Sequence, residues 1–175
     1  IKDSSYTQFI QDNSSDIMKQ QPDALEEVIY RSCQIKREVV ERDPKEQGER
    51  ALLNFGHTIG HAIEKLSDFT LYHGECVALG MAGAAYISYR LGNLSETELN
   101  KLETIIESYG LPVSLEQFPY TPQEILAATK LDKKMESGKV KFIVLKSLGE
   151  ARITKELSDE EILSGITHIM ERGSL

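Results

Sequence analysis

Residues 76–89 carry no charged side chain, and the body of that run is rich in small residues: Ala78, Gly80, Ala82, Gly83, Ala84 and Ala85. It is well short of the roughly 18–20 apolar residues that a membrane-crossing helix needs. As a helix in water it must be covered on all sides, and small side chains let neighbouring backbones come close. The sequence therefore predicts a central, buried helix that others cross tightly, despite a cost of about 1 kcal/mol for each interior Gly. That one segment commits the chain to a helical bundle.

Helix signals also dominate the rest. Pro22 opens a helix that an apolar stripe of Leu25, Val28, Ile29, Val39 and Val40 carries to about Arg42, where Asp43, Pro44 and Gly48 break it. A second helix is predicted from about Glu49 to Leu66, with Leu52, Phe55, Ile59, Ala62, Ile63 and Leu66 on one side. His73-Gly74 leads into the small-residue helix. Ser95 with Glu98, Thr121 with Glu124 and Ser158 with Glu161 are capping boxes that start three more helices. From Lys139 to Thr154 the period changes to two, with Val140, Phe142 and Val144 on one face and a turn near 147–150, which predicts a hairpin. The first twenty residues read as a short helix with a loose tail. No linker divides the chain, so residues 1–175 are expected to form a single multihelical domain, mainly α, with a small β-hairpin.

Charge narrows the possible functions. With 20 Lys+Arg against 28 Asp+Glu the net charge is −8 and the pI about 5.1, which argues against nucleic acid as a partner, because phosphate neutralisation requires clustered cations. Cys33 and Cys76 each lie in an apolar helical pattern and read as reduced core thiols of a cytoplasmic protein. A start at Ile1, with no basic and apolar leader, reads as a processed chain or a piece of a longer one.

At about 100° per residue, Arg50, Asn54, His57 and His61 fall within about 60° of one another, opposite the apolar side of the second helix. Solvent faces are usually built of Lys, Glu and Gln. This line instead holds a guanidinium, a carboxamide and two imidazoles, all capable of directed hydrogen bonds. His57 and His61 stand one turn apart, close enough to share a metal ion, and His73 follows at the start of the next helix. A catalytic metal site needs three protein ligands and an open position. Either all three histidines supply them, or two do with a carboxylate, leaving the third ring for proton transfer. Lys36 lies within the apolar stripe of the first long helix, where it must snorkel or aim its charge into a cleft holding an anion. Asp132-Lys133-Lys134 is a lesser cationic candidate, and His168, on the far face of the last helix, reads as structural.

The string Leu53-Asn54-Phe55-Gly56-His57-Thr58-Ile59-Gly60-His61-Ala62-Ile63-Glu64, with His73-Gly74-Glu75 after it and Lys36 and Arg50 before it, closely resembles the C-terminal half of 3-dehydroquinate synthases. The resemblance runs from about Ala24 to Lys134 and, more loosely, to the last helix. Metal-dependent glycerol and alcohol dehydrogenases share the helical architecture but not the string in this form. The resemblance implies an enzyme of two domains, an N-terminal α/β domain that binds NAD and a C-terminal multihelical domain that holds the metal and much of the substrate site. Such a carbon–oxygen lyase converts 3-deoxy-D-arabino-heptulosonate 7-phosphate to 3-dehydroquinate and phosphate in the shikimate pathway.

Carried over residue by residue, the resemblance makes His57 and His73 ligands to zinc, or to another divalent metal such as cobalt. His61 becomes a proton-transfer residue that is not a ligand. Lys36, Arg50 and Asn54 become catalytic substrate contacts, and Lys133 or Lys134 a further one. It implies a third ligand, a glutamate, in a segment just before Ile1. The chain is then half an active site, inactive by itself, with an NAD-binding domain missing from it and a homo-oligomer expected for the whole protein. The alternatives are another sugar-phosphate cyclase, a polyol dehydrogenase, or a non-catalytic helical module that docks a partner through its histidine face.

Overall fold

The computed structural model describes residues 1–131 and 140–172, so Lys133 and Lys134 lie outside the described residues. Helices α1 (Ser4–Asp12), α2 (Ser14–Met18) and α3 (Pro22–Arg42) are followed by a 3-10 turn (Glu49–Asn54) and helices α4 (His57–Leu66), α5 (His73–Arg90), α6 (Glu96–Ser108) and α7 (Pro122–Thr129). An antiparallel hairpin of β1 (Phe142–Ser147) and β2 (Glu150–Thr154) precedes α8 (Asp159–Glu171). The mainly α architecture with one hairpin is the one the sequence predicts. The three predicted capping boxes are all formed, through Ser95, Thr121 and Ser158. No helix among the described residues is long and apolar enough to cross a membrane.

Helix α5 is the centre, with Cys76, Ala78, Leu79, Gly80, Ala82, Gly83, Ala84, Ala85, Ile87 and Ser88 buried and α4, α6, α8 and β1 packed around it. Its glycines mark where other backbones cross. A Cβ at Gly80 would stand 1.9 Å from the Gly56 carbonyl oxygen and 2.8 Å from the Gly60 nitrogen, and one at Gly165 of α8 would stand 2.6 Å from the Gly83 carbonyl oxygen. Ser88, also buried, donates from Oγ to the Ala84 carbonyl at 2.7 Å and accepts from the Leu145 amide at 2.9 Å, which ties the hairpin to α5. Across the bundle the buried Glu103 of α6 accepts from His168 Nε2 at 2.7 Å and pairs with Arg172, while the His168 ring stacks on Tyr86 with centroids 4.0 Å apart. His168 thus has the structural setting the sequence implies.

Four expectations change. The helix predicted over Glu49–Leu66 is two segments: Gly56, at φ 82°, turns the chain out of the 3-10 turn and starts α4. The strand β1 does not alternate, since Phe142, Ile143, Val144 and Leu145 are all buried, as in a strand covered on both faces. The first twenty residues form two helices and are held to α6, with Tyr109 Oη donating to the Ile10 carbonyl at 2.7 Å and Lys101 Nζ to Gln8 Oε1 at 2.8 Å. On α3 only Val39 is buried, while Ile29 is 58% and Tyr30 63% exposed. Cys33 is therefore a surface thiol, whereas Cys76 is in the core. Lys36 likewise stands exposed on a helix whose stripe meets little cover.

Candidate functional site

Helices α4 and α5 are antiparallel neighbours joined by a loop tight enough to need unusual backbone. Asp68 and Phe69 both take left-handed conformations, at φ 49° and 58°, each costing about 1–2 kcal/mol for a residue with a Cβ. The turn is closed by the Phe69 amide donating to the Glu64 carbonyl at 3.2 Å, Ser67 Oγ donating to the same carbonyl at 2.8 Å, and Thr70 Oγ1 donating to the Ser67 carbonyl at 2.7 Å. This reversal, with the glycine contact between the two helices, brings the first residue of α5 back beside α4.

Three rings meet there. The ring centroids of His57 and His61 are 5.2 Å apart, those of His57 and His73 5.5 Å, and those of His61 and His73 5.7 Å. One nitrogen from each ring lies within 4.8 Å of the corresponding nitrogen of the others. Nitrogens bound to one tetrahedral zinc at about 2.0–2.1 Å stand about 3.3 Å apart, so small side-chain rotations bring all three to a common ion. His57 and His61 are half-buried and His73 is exposed, which leaves one side of the cluster open.

Two of the rings have their far nitrogen occupied. His57 Nδ1 is 3.3 Å from the Phe55 carbonyl oxygen, and His73 Nδ1 is 3.1 Å from Glu64 Oε1 and 3.3 Å from Oε2. An Nδ1–H donated to an oxygen leaves Nε2 with its lone pair, the form in which an imidazole binds a metal. The donor set therefore fits a divalent metal of the zinc type. Glu64 was not among the candidates read from sequence. Its signal was position: it follows His57 by two turns and His61 by about one, on the same side of α4.

Arg50 and Asn54 are placed differently from the predicted line. Both belong to the 3-10 turn, beyond the left-handed Gly56. Arg50 Nη1 donates to the Pro44 carbonyl at 2.9 Å, and Asn54 Nδ2 donates to Glu46 Oε1 at 2.9 Å. Asp43 organises this corner by accepting from the amides of Gln47, Gly48 and Arg50 at 2.8–3.0 Å. Those bonds hold its carboxyl below the usual range. The structure thus brings together His57, His61 and His73, with Arg50 and Asn54 on the turn entering α4 and turned toward the loop after α3. Lys36 is exposed on α3. Exposed aromatics, Phe69 at 72% and Tyr72 at 80%, sit on the loop that leads to His73.

Comparison with known proteins gives this arrangement a family. Residues 1–135 match the family model described as 3-dehydroquinate synthase C-terminal. The 3-dehydroquinate synthase of Acidithiobacillus ferrooxidans (strain ATCC 53993 / BNL-5-31) is 39% identical over 174 residues, which cover 99% of this chain and 47% of that protein. That of Haemophilus ducreyi is 41% identical over 165 residues, 94% of this chain and 45% of that protein. The chain spans about half the length of the curated relatives it matches.

Among solved structures, 2-epi-5-epi-valiolone synthase from Streptomyces hygroscopicus subsp. jinggangensis 5008, with NAD+ and Zn2+ bound, superposes with a TM-score of 0.86 at 26% identity, over 98% of this chain and 48% of that one. A 2-deoxy-scyllo-inosose synthase complexed with carbaglucose-6-phosphate, NAD+ and Co2+ shares the fold, with a TM-score of 0.71 at 23% identity over 85% of this chain and 43% of that one. On the strength of the family model and the histidine string at its centre, this chain belongs to the 3-dehydroquinate synthase family, of which it carries the C-terminal domain.

Proposed function

We propose that the chain is the metal- and substrate-binding half of a 3-dehydroquinate synthase, the lyase that converts 3-deoxy-D-arabino-heptulosonate 7-phosphate to 3-dehydroquinate and phosphate on the route to chorismate and the aromatic amino acids. The observation that carries this reading is the convergence of His57, His61 and His73 at the α4–α5 junction, within a string typical of the family. Identity near 40% to proteins of that name, against 26% to the valiolone synthase, favours this cyclase over its neighbours. The valiolone synthase superposition keeps a related sugar-phosphate cyclase as the second reading.

In this reading His57 and His73 hold a zinc or cobalt ion through Nε2, and a glutamate from the partner half completes the set. The bound metal supplies a Lewis acid that polarises substrate oxygens. His61, beside the ligands but free of that duty, takes or gives a proton at the sugar ring. Arg50 and Asn54 turn from the α3 loop to grip the anionic ends of the substrate, since a guanidinium binds planar anions at two points. Lys36 adds charge from α3 and Lys133 or Lys134 adds a further cation. Local cations prevail over the net −8 because surface charge farther than about 8 Å is screened at physiological salt. NAD is assigned to an N-terminal domain, the whole protein to a cytoplasmic homo-oligomer, and residues 1–175 to one C-terminal domain.

The test is reconstitution. The chain alone, given the heptulosonate phosphate, NAD and Zn2+, should release no phosphate. Joined to the N-terminal half of the Acidithiobacillus ferrooxidans enzyme, it should release phosphate and form 3-dehydroquinate, and the His57→Ala form of the joined protein should not. Turnover by the isolated chain, or a different carbocycle as product, would overturn the assignment.

A further inference from the structure

The half-buried carboxylate of Glu64, 19% exposed at its side chain, faces His73 Nδ1 with both oxygens, at 3.1 and 3.3 Å. We infer that Glu64 is a positioning residue that holds the His73 ring with its proton on Nδ1 and its bare Nε2 turned to the point shared with His57 and His61; the inference deepens the metal-site reading and rests on it.

Three observations carry it. First, His73 is the most exposed member of the cluster and stands at the first position of α5, whereas His57 and His61 are half-buried on α4 one turn apart. Its ring hydrogen-bonds to Glu64 through Nδ1. Secondly, Glu64 is itself fixed. Its backbone carbonyl is the double acceptor that closes the α4–α5 turn, from the Phe69 amide and Ser67 Oγ, and α4 is locked to α5 by the Gly56 and Gly60 contacts with Gly80. Thirdly, His57, His61 and Glu64 lie on one face of α4, so one helix provides two ring nitrogens and also the acceptor that aims the third ring from across the turn. A carboxylate behind a ligating imidazole fixes its tautomer and raises its basicity, and removing such a partner costs about 10- to 100-fold in metal affinity. Phe55 does the same for His57 with a neutral carbonyl, which leaves Glu64 as the charged brace of the pair.

Two readouts decide it. In the metal-free chain at a pH of about 8.5, where imidazoles are neutral, long-range 1H–15N spectra should show the His73 proton on Nδ1. In Glu64→Ala it should move to Nε2, and in Glu64→Asp, whose carboxylate is one methylene short, the ring should show a mixture. A His73 proton on Nε2 in the unsubstituted chain, or a tautomer unmoved by Glu64→Ala, would overturn the inference.

Chelator competition with Co2+, on the chain joined to the N-terminal half of the Acidithiobacillus ferrooxidans enzyme, gives the second readout. Glu64→Ala should weaken binding about 10- to 100-fold while the visible spectrum of the bound cobalt keeps its shape and intensity. Equal affinity in the two proteins would overturn the inference, as would a changed coordination spectrum, which would make Glu64 a ligand. A joined protein that binds no Co2+ in either form would overturn the metal-site reading above, with the tautomer measurement still deciding the role of Glu64.

Discussion

A methyl group at Gly80 has nowhere to go, because the atom it would meet at 1.9 Å is a backbone oxygen rather than the flexible end of a side chain. Relief requires α4 and α5 to separate. Overpacking of this kind costs about 1–3 kcal/mol and sometimes more, so Gly80→Ala should lose about 3 kcal/mol in urea unfolding and should also weaken metal binding, since the same separation parts His57 from His73. Gly74→Ala is the control: nothing lies within 4 Å of its Cβ position, and at the second residue of α5 stability should change by no more than about 0.5–1 kcal/mol, in the favourable direction because Ala is a better helix former than Gly. The two thiols offer a second residue-level test. Cys76 is fully buried and its thiol is pushed up to about 11, first by burial and then by the nearby Glu64 and Glu75 carboxylates. Cys33 is exposed. A thiol reagent at neutral pH should therefore label one site, Cys33, and reach Cys76 only when the chain unfolds.

Among the elements, the 3-10 turn is one whose attachment depends on charge. Glu49 at its start pairs with Arg42 of α3, Nε to Oε2 at 2.8 Å, and with Lys2. The Arg42 hydrogen bond, followed by that of Lys2, holds its carboxyl down to about 2 from an ordinary value of 4.5. A depressed carboxylate stabilises the fold above its unfolded value and loses that contribution as pH falls toward the folded one. Acid titration should thus loosen this turn between about pH 4.5 and 2, and Glu49→Gln should flatten the fall in thermal midpoint across that window.

The elements also show what a one-dimensional pattern reveals. Ends written in local chemistry were legible: Ser95, Thr121 and Ser158 cap where their spacing to Glu98, Glu124 and Glu161 says they must, and Pro22 opens α3. The break at Gly56 was not legible, because Phe55 and Ile59 keep the helical period across it and the reason for the break lies on α5, in the backbone at Val77 and Met81. The Arg50 and Asn54 line failed with it. The stripe on α3 was read correctly as apolar, but Cys33 was read wrongly as a core thiol, since a periodic pattern records a face without recording what covers it. The convergence of the three rings was within reach because it required only one turn of α4 and a helix start.

For the molecule as a whole, the outer closure lies opposite the histidines, where α6 and α8 are joined through Glu103, His168 and Arg172. Glu103 is 1% exposed, so removing it leaves His168 without this acceptor and Arg172 with Glu107 alone. Breaking a buried pair on one side costs about 3–5 kcal/mol. Glu103→Ala should show a loss of that size in urea unfolding, with the metal affinity of the folded fraction unchanged. Independence of the two ends follows from the distance between them along α5, whose first residue is His73 and whose later turns carry Tyr86.

The crossings at Gly56, Gly60 and Gly80 have a consequence for motion. Where peptide meets peptide no side chain lies between to yield, so the helix pair that carries the three rings behaves as one stiff piece with a fixed separation. In the proposed reading, accommodating a guest then falls to side chains outside this pair, such as that of the exposed Lys36, while the imidazole frame stays still.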